Sequence, residues 1–146
     1  MKSTQNSKSF YSLEAEKGLI GSIFLEPEVF DDITDKINHN DFYFEAHQEI
    51  FKVIEYLYDY GLPIDPISVM EYLKKRKKLE FIGGEDYLIE LAQFTPNTAF
   101  IDSYLRIVKE YSEKRSLVNM AKKIVKMIDE NTETTEIKDF IDKVLL

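Results

Sequence analysis

Apolar residues recur at helical spacing along most of the chain, and no stretch alternates with the period of two that a half-buried strand requires. Ser12 is placed to N-cap a first helix, with Glu14 and Glu16 in its opening turn where negative charge complements the helix dipole. Leu13, Ile20, Ile23 and Phe24 give this helix an apolar side as far as Leu25, while Gly18 and Gly21 weaken it intrinsically and admit a close neighbour. Pro27 suits the first position of a second helix, whose stripe is Val29, Phe30, Ile33 and Ile37. After a polar turn from Asn38 to Asp41, the residues Ile50, Phe51, Ile54, Leu57 and Tyr58 define a third, and Gly61 stops it. Asp65 and Pro66 open a fourth, with Val69, Met70 and Leu73 inside and the run Lys74 to Lys78 at its end. Gly83 and Gly84 restart the chain before a fifth helix carrying Tyr87, Leu88, Leu91 and Ala92, which Thr95-Pro96-Asn97 terminates because a residue before proline disfavours the α region.

From Thr98 to Asn131 there is neither glycine nor proline, which predicts one helix of roughly 50 Å at about 1.5 Å per residue. Ile101, Tyr104, Leu105, Val108 and Tyr111 form its first stripe, expected on the head; a second stripe of Leu117, Val118, Ala121, Ile124, Val125 and Ile128 begins after Ser116. Asn131 to Thr135 reads as a turn, and Ile137, Phe140, Ile141, Val144 and Leu145 as a returning helix, giving a helical hairpin. The expectation is an all-α protein: a flexible tail over 1–11, a globular head over 12–97, and a long helix with hairpin over 98–146. The last helix runs to Leu146 with no capping residue, as expected for a fragment of a longer chain. Apolar stripes on both arms, with little head left to cover them, predict an association module. Leu117, Val118, Ala121, Ile124, Val125 and Ile128 would meet Ile137, Phe140, Ile141 and Val144 within or between chains.

Composition narrows the chemistry. A length of 146 residues suffices for one core and an appendage, and 44% hydrophobic residues fill it. The formal charge of -8 repels phosphate backbones, so little direct nucleic-acid binding is expected, although a local basic patch is compatible with it. The one strong basic block, Lys74 to Lys78, sits at a predicted helix end, where a capping and solubility role is favoured over nucleic-acid contact. With no cysteine, no apolar stretch long enough to span a membrane and a polar opening from Met1 to Ser9, a cytoplasmic protein without membrane contact is expected. Neither a phosphate-binding loop nor a dinucleotide fingerprint occurs, so no active site or cofactor is expected. The competing reading from another class is a small metal-dependent enzyme using His39, Asp41, Glu45 and His47, whose spacing matches no ligand motif.

The string Ser12-Leu13-Glu14-Ala15-Glu16, followed by Gly18-Leu19-Ile20-Gly21 and Phe24-Leu25, resembles the opening of DnaB-family replicative helicases. The resemblance continues through Asp41-Phe42-Tyr43, His47-Gln48-Glu49-Ile50-Phe51, Pro63-Ile64-Asp65, Ile82-Gly83-Gly84, Tyr87-Leu88 and Thr95 to Ala99, and covers about residues 12 to 116. It implies an all-α head and a hairpin that pairs protomers, so that six copies, as a trimer of dimers, build a collar above a motor ring. It further implies docking of the primase C-terminal domain, contact with a helicase loader, and ATP and Mg in a motor domain outside this fragment. Carried over by position, the primase-docking candidates are Tyr87, Val118 and Ile124. A related reading is a primase C-terminal helicase-binding domain, against which the Ser12 to Glu16 opening argues.

Overall fold

The computed structural model describes residues 10–145, apart from the side chain of Leu145, so most of the expected tail lies outside the described residues. All regular elements among the described residues are helical. Contacts divide the chain into two compact units, one of Tyr11–Ser112 and one that holds the chain from Glu113 onward together with Phe10.

In the first unit, α1 (Leu13–Leu25) begins where Ser12 accepts a hydrogen bond from the Ala15 N–H at 3.1 Å. Leu13, at the very start, is exposed, and the inner side consists instead of Ala15, Leu19, Ile20, Ile23 and Phe24. The expected second helix is shorter than its apolar stripe. Pro27 opens a single 3-10 turn (Pro27–Val29) that leads into the four-residue α2 (Phe30–Ile33). Phe30, Ile33 and Ile37 are nevertheless all buried, so the stripe records burial without recording a continuous helix. A 3-10 turn over His39–Asp41, boxed by reciprocal Asn38 and Asp41 side-chain bonds, precedes α3 (Glu45–Asp59). Asp65 caps α4 (Pro66–Lys75) by accepting from the Ser68 N–H at 2.8 Å.

A short helix that periodicity does not reveal, α5 (Leu79–Ile82), precedes α6 (Gly84–Ala92); Gly83 joins them at φ +111°, where a side chain would be strained. α6 ends at Ala92, ahead of the Pro96 stop, and the Thr95 hydroxyl donates to the Asn97 carbonyl two residues on.

α7 (Ile101–Asp129) begins in the first unit. Val108 is buried in the head core, with Ile101, Tyr104, Leu105 and Ile107 packed against it. The compact unit of the head thus takes in α7 through Ser112, including its first apolar stripe. A Cβ added at Gly18 would lie 2.5 Å from the Tyr104 ring, and one at Gly21 would lie 2.5 Å from the Leu91 carbonyl oxygen.

In the second unit, α7 continues to Asp129, and α8 (Thr134–Leu145) follows a four-residue turn. Asn131, at φ +60°, makes that turn possible. Its N–H donates to the Ile128 carbonyl and the Thr132 N–H to the Met127 carbonyl, the paired bonds of a Schellman stop.

Candidate functional site

At 100° per residue, the apolar positions of α7 beyond Ser116 occupy about half of the helix circumference, more than a single partner helix covers. One side of this arc, Met120, Ile124 and Met127, is half-buried, as is Val118 at the far edge. The other side, Leu117, Ala121, Val125 and Ile128, is open, with Leu117, Val125 and Ile128 between 56% and 58% exposed. On α8, Ile137 is buried, Phe140 and Ile141 are half-buried, and Val144 is exposed. Lys123 closes one flank by placing its ammonium 4.8 Å from the Phe140 ring centroid. The expected stripe is thus two adjoining faces, and the sequence reading missed Met120 and Met127 on the covered one. Their signal was spacing, since each stands three or four residues from Ile124.

Tyr87 is anchored in the head by a buried polar cluster. Glu16 and His47 are each 1% exposed. The Glu16 carboxylate lies 2.7 Å from His47 Nδ1 and accepts the Tyr43 N–H at 2.7 Å and the Phe44 N–H at 3.5 Å. An α1 side chain therefore caps the chain entering α3, whose own N-cap residue, Phe44, offers no side-chain acceptor. A carboxylate can only accept, so Nδ1 donates to it, and a neutral ring then leaves Nε2 to accept the Tyr87 hydroxyl proton at 2.5 Å. The two rings stack at 5.8 Å with an interplanar angle of 8°. Burial, reinforced by Glu90 and Glu16, pushes the Tyr87 hydroxyl up to about 12. Lys17 pairs with Glu90 and sits above the Tyr87 and Phe94 rings. Glu16, which reaches Tyr87 through His47, and Lys17 were not legible as neighbours of Tyr87, because they stand 71 and 70 residues from it in sequence.

His39 is engaged separately, its Nδ1 lying 2.8 Å from Glu55. Asp41 accepts from Ser112 at 2.8 Å and from the Asn38 N–H at 2.9 Å. Among the described residues, no three His, Asp or Glu side chains are grouped to hold a metal ion, and His39 and His47 face different carboxylates, Glu55 and Glu16. Among the described residues, no helix is long and apolar enough to cross a membrane.

A family model described as the DnaB-like helicase N terminal domain matches residues 8–110. The chain belongs to that family. The match sets aside the reading as a primase domain and covers nearly all of the head. The chain is 44% identical over 114 residues to the replicative DNA helicase DnaB of Buchnera aphidicola subsp. Baizongia pistaciae (strain Bp), an alignment covering 78% of this chain and 25% of that helicase. It thus spans about a quarter of that relative's length. Among solved structures, the N-terminal domain of DnaB helicase from Mycobacterium tuberculosis superposes with a TM-score of 0.84 at 30% identity, covering 91% of this chain and 94% of that one. The N-terminal domain of DnaB helicase from Helicobacter pylori, solved with attention to its interactions with primase, shares the fold at a TM-score of 0.71 and 22% identity, covering 88% and 99% of the two chains.

Proposed function

We propose that this DnaB-type domain is the assembly and docking module of a replicative DNA helicase, and that the open face of its hairpin pairs with a second copy of the chain. The observation that carries this reading is the uncovered row of Leu117, Ala121, Val125 and Ile128, because an apolar face of this kind gains by leaving water on association. Ile137, Phe140, Ile141 and Val144 of the returning arm complete the pairing unit. In the whole protein, three such dimers form a hexameric collar, while ATP and Mg serve a separate motor domain. Val118 and Ile124 border the pairing face and, with Tyr87, are the positions at which the C-terminal domain of primase docks; a helicase loader is a further partner of the collar. The interaction with primase named for the Helicobacter pylori domain supports this assignment of partner.

Light scattering across a dilution series tests the pairing. The chain is expected to form dimers or larger species that dissociate on dilution, and Val125→Asp with Ile128→Asp to be monomeric at unchanged helicity. A strict monomer at every concentration overturns it.

A further inference from the structure

α3, α4 and α5 converge on a strip in which cations and aromatic rings alternate. The Tyr56 ring lies 4.7 Å from Tyr60 and 5.0 Å from Tyr72. The Arg76 guanidinium is 5.8 Å from the Tyr56 centroid, the Lys75 ammonium 4.7 Å from Tyr72, and the Lys78 ammonium 4.9 Å from Phe81. Tyr60 is 69% and Phe81 50% exposed. Beside them an open hollow of about 370 Å³ is lined by Lys74, Lys77, Leu79 and Glu80.

The helix dipole accounts for only part of this charge. Lys74 and Lys75 occupy the last turn of α4, where cations are favoured, but Lys77 and Lys78 lie beyond it. Among the described residues, only Lys74 of the five cations has an ion-pair partner, Glu71 at 3.6 Å. Lys77 is the more telling residue. α3, α4 and α7 all end in the same Schellman stop, and the residue in the left-handed conformation is Gly61, Lys77 and Asn131 in turn, with φ +67°, +59° and +60°. Glycine and asparagine tolerate that conformation, whereas lysine is strained there. A charge thus stands where the backbone favours glycine, in a chain whose overall charge is -8.

We propose that this strip binds single-stranded nucleic acid, with the cations on the phosphates and the exposed faces of Tyr60 and Phe81 stacking on unpaired bases. An acidic polypeptide would satisfy the lysines but would leave the exposed rings without a role.

Fluorescence anisotropy with the whole chain tests this, using labelled oligothymidylate, an abasic strand of equal length, and polyglutamate. Oligothymidylate is expected to bind at low salt, more tightly than the abasic strand. Tyr60→Ala is expected to weaken oligothymidylate roughly fivefold or more while sparing the abasic strand. Lys77→Gly is expected to leave Tm unchanged or higher, yet to weaken both strands and reduce the slope of log affinity against log salt by about 0.7. The proposal is overturned by no binding at low salt, by equal affinity for the two strands, by tighter binding of polyglutamate, or by unaltered binding in Lys77→Gly.

Discussion

Tyr87 is held by its hydroxyl as well as by its ring, and this gives it a measurable signature. Replacing it with Phe leaves His47 Nε2 without its donor in a buried setting, at a cost of about 1 kcal/mol at neutral pH, to be read from denaturant unfolding. The effect depends on pH. The hydroxyl titrates at about 12 in the folded chain against 10.0 for an ordinary tyrosine, so the folded state holds this proton more tightly. Its stabilisation is complete below pH 10 and is lost as pH rises toward 12. Between those values the wild-type chain is expected to lose stability more steeply than Tyr87→Phe. Parallel curves for the two proteins would contradict this account of Tyr87.

At the scale of elements, the two glycines of α1 differ in what they admit. Gly21 faces a backbone carbonyl that cannot move aside, whereas Gly18 faces the ring of a side chain. Gly21→Ala is therefore expected to destabilise the fold by about 1–3 kcal/mol in thermal or denaturant unfolding, despite the better helix propensity of alanine. Helix identity was legible in the sequence wherever a polar cap and an apolar period coincided, as at Ser12 and Asp65. It failed where one signal stood alone. Pro27 marks a helix start, but the turn it opens is 3-10, and α5 is a single turn, too short to show a period. The hairpin stripe was legible as apolar but not as two faces, because covered and open sides adjoin without a polar residue type to divide them. Among the candidate residues, Tyr87 was singled out through resemblance, while its bond to His47 is a long-range contact that no local pattern encodes.

For the molecule as a whole, the two units differ in how much they bury. The head encloses a core of fully buried Phe, Ile and Leu residues, whereas Ile137 is the one buried apolar residue beyond Ser112 among the described residues. A unit of that size cannot bury enough apolar surface to be strongly stable alone. Amide exchange in α8 and in α7 beyond Ser112 is therefore expected to be faster than in α1 and α3, and to slow as protein concentration rises if pairing covers the open face. Concentration-independent exchange would separate the stability of the hairpin from association. The buried cluster of the head bears on how such a chain can change over evolutionary time. Glu16, His47 and Tyr87 come from three separate helices, so losing His47 leaves the buried carboxylate to the Tyr43 and Phe44 N–H groups and takes the acceptor from the Tyr87 hydroxyl, while losing Glu16 as well removes the acceptor of those N–H groups. A lineage that changes one of these three positions is therefore expected to change a second, which a comparison of relatives at the three positions would reveal.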